Sequence, residues 1–214
     1  MVNNDLLLKA FYETILMVFG STGFGIILGL PLGIILYNTS KQGLQPCKML
    51  YEPLSFLVNS ARSIPYIILT VLLIPFTRQL IGTSIGMGSA IVPLSIAGAL
   101  LIARCVEDVL RSVPKGLSEV GISLGASPFE IIRKILLPEG IAPLIAGITT
   151  VIINLVGYSA MAGTVGGGGL GDLAIRYGYQ RYDTSLMALI VLLLVALVQG
   201  IQVIGQWCTN RYRR

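Results

Sequence analysis

The sequence predicts an all-α integral membrane protein of five transmembrane helices, with its N-terminus outside, its C-terminus in the cytoplasm and a cytoplasmic helical elbow between helices three and four. Three observations predict it. Of 214 residues, 54% are hydrophobic and only 12% charged, far from the roughly 25% charged residues of a soluble domain. Uncharged runs at 14–40, 79–103, 140–171 and 184–210 each exceed the ~20 residues that cross the hydrocarbon core, and a fifth at 54–76 is interrupted only by Arg62. Basic residues also alternate in density between successive connections. Lys41, Lys48 and Arg62 follow helix one, Arg104, Arg111, Lys115, Arg133 and Lys134 follow helix three, and Arg211, Arg213 and Arg214 end the chain, whereas the opposite side holds only Lys9, Arg78, Arg176 and Arg181. Lys and Arg concentrate on the cytoplasmic face, which fixes the predicted orientation. Residues 1–214 read as a single transmembrane domain.

Residues 1–13 read as a short amphipathic lead-in at the outer surface. The first apolar run lacks a basic leader and is too long and glycine-rich for a signal peptide, so it is expected to be retained. Gly25, Gly29 and Gly33 recur in it at four-residue spacing, a stripe that lets two membrane helices approach closely. Helix two contains Arg62, Pro65 and Pro75; Arg62 lies near enough to one end to snorkel to the interface. A short glycine-rich outer turn at 81–89 leads to helix three. That helix delivers Arg104, Glu107, Asp108 and Arg111 to the cytoplasmic surface, where an i,i+4 pair of Glu107 and Arg111 is worth only a few tenths of a kcal/mol.

The elbow, about 114–138, is the one long connection too polar to enter a bilayer. Pro114 opens its first helix, Leu117, Val120, Gly121 and Leu124 recur at helical spacing, and Gly125 takes the left-handed conformation that ends it. Ser127 is an N-cap, Pro128 occupies the first helical position where no amide hydrogen is needed, and Glu130 closes a capping box. Helix four then leaves the elbow at Pro138. Gly147, Val151, Asn154, Tyr158, Met161 and Val165 fall on one of its faces, and polar groups at membrane depth face protein or water. Arg176, Tyr177, Tyr179, Arg181 and Tyr182 form an outer segment with interfacial tyrosines, and helix five closes the chain.

The chain has no histidine, which removes histidine-based triads, HExxH zinc sites and imidazole relays. No G-x-x-x-x-G-K-[ST] phosphate loop is present. Residues 166–171, GGGGLG, match G-x-G-x-x-G but follow a membrane helix rather than a strand, so they make no dinucleotide site. Basic residues without interleaved aromatics argue against nucleic acid. Cys47, Cys105 and Cys208 share no metal-ligand spacing and read as free packing thiols. No catalytic residue, cofactor site or metal site is expected.

Glu119, Gly125, Ile135, Leu137 and Pro138 reproduce E-x5-G-x9-I-x-L-P. This resembles the cytoplasmic loop of ABC importer permeases of type I, with Val120 and Gly121 where the family has two alanines. Residues 157–163, GYSAMAG, followed by TVGGGGLGD and YGYQRYD, are similar to the methionine-uptake permeases, the MetI family. The resemblance runs from helix one to helix five. It implies that Glu119, Gly125, Ala126, Ser127, Pro128, Ile135, Leu137 and Pro138 couple to a cytoplasmic ABC ATPase. It implies a homodimer in the bacterial inner membrane, lipid around it, a MetN-like ATPase carrying ATP and Mg, and a MetQ-like substrate-binding lipoprotein delivering L- and D-methionine. It places the gate at Met161, with Tyr158 and Ser159 as candidates for the same path, and the stripe on helix four adds Asn154 to it. Another amino acid or osmolyte as cargo, and an ATP-independent channel or carrier, are the competing readings. The last would call for intramembrane ionisable residues or an inverted repeat, and the sequence offers neither.

Overall fold

Glycines set the closest helix pair of the molecule. In the computed structural model, which describes residues 4–212, helix α1 (Asn4–Thr39) lies against α5 (Met87–Ser112). A Cβ added at Gly29 would stand 2.5 Å from the Ala99 carbonyl oxygen, and one at Gly33 equally close to that of Ala103. Gly25 meets Gly98 in the same way, at 3.2 Å from its carbonyl carbon. The four-residue stripe is therefore a helix-packing surface, bringing backbone onto backbone. Residues 5–13 are not a separate lead-in but part of α1, whose helical spacing carries on without a break.

Between α1 and α5 come α2 (Lys48–Ser63), α3 (Tyr66–Leu72) and α4 (Ile74–Ile81). The run expected to form one straight helix two is broken, and α2 and α3 meet at 107°. The cause is local. Pro65 has no amide hydrogen and forces the preceding residue out of the α region, and Ile64 is extended at φ −75°, ψ 125°.

After α5 the chain forms α6 (Lys115–Ser123), α7 (Pro128–Ile131), a π-helical turn (Ile132–Leu136) and α8 (Leu137–Glu139), which leads into α9 (Ile141–Thr164). Then follow α10 (Gly169–Leu173), a second π-helical turn (Ala174–Tyr179) and α11 (Thr184–Tyr212). Helices α1, α5, α9 and α11 are each long and apolar enough to cross a membrane, and the bent α2/α3 pair makes up to five candidate spans. The molecule is an all-helical bundle among the described residues.

α5 is its centre, with Leu94, Ile102 and Val106 fully enclosed and Leu155 of α9 packed beside them. By contrast α11 buries only Leu186, Ile190, Ile201 and Gly205. Its remaining apolar surface suits lipid or another subunit.

The glycine-rich segment after α9 folds back on that helix. Gly163 and Gly171 approach so closely that a Cβ on either would strike the other strand of the turn. Gly166, Gly168 and Gly169 all have positive φ, which only glycine adopts freely. α1 holds the turn: the Glu13 carboxylate accepts from the Gly169 amide at 2.9 Å and the Thr14 hydroxyl from the Leu170 amide at 2.9 Å.

Candidate functional site

The elbow is built by two local motifs. α6 ends in a Schellman turn, in which the Ala126 amide donates to the Gly121 carbonyl at 3.1 Å and the Gly125 amide to that of Ile122 at 2.9 Å. Gly125 sits at φ +76° with open space where a side chain would go. α7 then opens with a complete capping box. The Ser127 amide donates to a Glu130 carboxylate oxygen at 3.1 Å, and the Glu130 amide to the Ser127 hydroxyl oxygen at 3.4 Å. Lys134 adds an ion pair to Glu130 at 2.9 Å. That hydrogen bond, with those from the Ser127 amide and hydroxyl, holds the Glu130 carboxyl down to about 2 from its ordinary 4.5.

Burial divides the elbow into a root and a face. Ile131, Ile132 and Leu136 are buried and pack with Val106, Leu110 and Val113 of the bundle. Gly121 fits against Ile131 and Ile135, so its place in α6 is a close-contact position. Leu137 packs on the core and Pro138 begins the passage into α9, lining a cavity of about 900 Å³ with Leu117, Ile135 and Arg211. The outer face, which wraps both sides of α6 around the buried Gly121, is apolar and uncovered: Val120, Ile122, Leu124 and Phe129 are exposed, Leu124 to 81%. Glu119 is exposed beside them. A capped, rigid turn with four bare hydrophobic side chains is suited to seat in another protein's groove.

α9 carries the remaining expected site residues, and the structure distributes them. Thr150, Asn154, Gly157, Met161 and Thr164 form a continuous exposed stripe at helical spacing, with Met161 46% exposed. Asn154 and Met161 therefore share an open face. Tyr158 lies at its edge, half-buried and stacked on Tyr66 with ring centroids 4.6 Å apart and planes 2° apart. Ser159 is buried and its hydroxyl donates to the Val156 carbonyl of its own helix at 2.7 Å. Gly147 and Val151 turn inward, Gly147 onto the Cys105 sulfur. The expected single face is thus two neighbouring ones, because 3.6-residue periodicity leaves its rotational phase by about one residue undetermined.

A charged cluster at the end of α5 departs most from expectation. Glu107 is completely buried rather than at the surface. Its carboxylate takes ion pairs from Arg104 and, at 2.6 Å, from Arg111, and accepts from the Tyr51 hydroxyl at 3.1 Å. Arg104 in turn donates to Asn59 Oδ1 at 3.0 Å and Ser55 Oγ at 2.6 Å. Tyr51, Ser55 and Asn59 are spaced four apart on α2, so one face of α2 closes over one face of α5. Burying two guanidinium groups with one carboxylate costs desolvation that the ion pairs and hydrogen bonds offset. Its sequence signal is the matching of two polar stripes, Tyr51/Ser55/Asn59 and Arg104/Glu107/Arg111.

The model of the family "binding-protein-dependent transport system inner membrane component" matches residues 25–214. The probable D-methionine transport system permease protein MetI of Vibrio cholerae serotype O1 is 49% identical over 98% of this chain and 93% of its own. The D-methionine transport system permease protein MetI of Escherichia coli K12 is 48% identical over 74% of this chain and 73% of its own. Among solved structures, an inward-facing conformation of the MetNI methionine ABC transporter superposes with a TM-score of 0.96 at 46% identity, covering 98% of this chain and 97% of that one.

Proposed function

The chain belongs to the binding-protein-dependent transport system inner membrane component family, and from that premise we infer that it is the membrane permease of an ATP-driven methionine importer. Methionine follows from relatives that are methionine permeases along nearly the whole chain and from the match to a methionine ABC transporter. The permease works as a pair of copies on a cytoplasmic ATPase, with five spans, the N-terminus outside and the elbow in the cytoplasm of a bacterial inner membrane. A substrate-binding lipoprotein delivers L- or D-methionine from outside, and ATP and Mg are held by the ATPase rather than by this chain.

The single observation that carries this reading is the elbow, a rigid capped turn whose face exposes Val120, Ile122, Leu124 and Phe129. Glu119, Gly125, Ala126, Ser127 and Pro128 shape that face, and Ile135, Leu137 and Pro138 root it. Closure of the ATPase subunits displaces the elbow, the buried root passes the displacement into α9, and the stripe bearing Asn154 and Met161 changes exposure. The thioether of Met161 suits an apolar constriction that a methionine side chain must pass, with Tyr158 and Ser159 setting the orientation of that helix segment.

Affinity-tagged chain extracted in mild detergent tests the docking role. Wild type is expected to retain an ABC ATPase. Gly125→Trp is expected to lose it, with some fall in melting temperature because any side chain at φ +76° strains the turn, whereas Leu124→Glu, at an 81% exposed position, is expected to lose it at the wild-type melting temperature. A Gly125→Trp variant that keeps the ATPase and transports normally would remove the elbow from the coupling mechanism.

A further inference from the structure

We propose that the cavity between the end of α1 and the start of α2 binds the phosphate headgroup of an anionic phospholipid. The cavity is a half-open cleft of about 520 Å³. Lys41, Lys48 and Arg111 line it, with Gln42 as a further hydrogen-bonding group, while the Tyr51 hydroxyl beside them already donates to Glu107 and accepts from Arg111. Glu52 is the one acidic residue in the lining, and it meets Lys48 at 3.5 Å with both side chains mostly exposed. Arg111 is shared with Glu107 beneath it and also feels Asp108, so the exposed Lys41 and Lys48 supply the positive charge of the cavity mouth. The Arg111 Nε is buried without an acceptor among the described residues.

What points to a lipid is α2 itself. Met49, Phe56 and Leu57, further around the helix from the cavity-lining Lys48, Tyr51 and Glu52, are 90%, 73% and 60% exposed, an apolar surface of the same helix that acyl chains would cover. Arg111 is in the last turn of α5, just before Pro114 and the elbow. The cavity is therefore at the elbow's end of the bundle. The proposal rests on the cytoplasmic placement of the elbow stated above, since anionic headgroups populate that leaflet.

The test is a binding measurement on the purified full chain in detergent, so its outcome is separable from transport and from membrane orientation. Melting temperature is followed while short-chain phosphatidylglycerol, phosphatidylcholine or inorganic phosphate is titrated. Phosphatidylglycerol is expected to give a saturable rise that the other two do not. Lys41→Gln and Lys48→Gln are each expected to weaken the apparent affinity about fivefold, and the double variant roughly twenty-five-fold. Both lysines are exposed, and unchanged melting without lipid serves as the folding control. Arg78→Gln, outside the cavity, is expected to bind as wild type does. Equal binding by the double variant, or an equal loss in Arg78→Gln, would overturn the site. A rise with inorganic phosphate alone at the same affinity would overturn the lipid as its ligand.

Discussion

Glu107 and Met161 show how much a side chain's role depends on whether anything covers it. Glu107 is enclosed with two guanidinium groups, a phenol and, through Arg104, the hydroxyl of Ser55 and the amide of Asn59. Glu107→Gln would leave Arg104 without its counter-charge and Arg111 with only Asp108 nearby, and removing one member of a buried ion pair costs about 3–5 kcal/mol. A marked fall in melting temperature in detergent is expected. Lys48→Gln, at an exposed pair with Glu52, should change stability by no more than about 1 kcal/mol. Equal effects of the two would mean that the buried cluster is not what ties α2 to α5. Met161, in contrast, is half-exposed on the open stripe of α9. Met161→Ala is expected to leave folding unchanged and to raise methionine leak or basal ATP hydrolysis in vesicles holding the assembled transporter; no change in either would leave Met161 as packing alone.

The elbow's second helix depends on Glu130 for its start. The carboxyl's folded pKa lies below its ordinary value, so the cap contributes fully above about 4.5 and is lost as pH falls through about 2. A carboxyl NMR titration should place the Glu130 midpoint near 2 and return it towards 4.5 in a Ser127→Ala, Lys134→Gln variant; a wild-type midpoint near 4.5 would mean that the box does not form. This element was legible in the sequence because caps are written within four residues: Ser127, Pro128 and Glu130, and Gly125 just before them. The stripe of Gly25, Gly29 and Gly33 was legible for a similar reason, since a small-residue period has one main use. The break at Pro65 was not, because hydropathy sums composition and is blind to direction, although the restriction on Ile64 was present. Nor was the burial of Glu107, which follows from α2 folding back over α5. That contact lies some fifty residues distant in sequence, and no local rule reports it.

At the scale of the molecule, the buried and bare surfaces are divided by role. The core gathers on α5, the elbow is rooted in that core through Ile131, Ile132 and Leu136, and the same rigid path leads into α9 with its open stripe. α11 and much of α1 stay apolar and uncovered, as a chain surrounded by lipid and a second copy requires. Under the proposed reading a single chain supplies half of a passage and one docking elbow, so function is assigned to the assembled pair with its ATPase. The most direct measurement is uptake of radiolabelled methionine by sealed vesicles containing this permease, its ATPase and its binding protein. Accumulation that requires ATP, is abolished by Gly125→Trp and is not competed by unrelated amino acids is the predicted result. Methionine entry that continues without ATP, or with the elbow variant, would contradict the account.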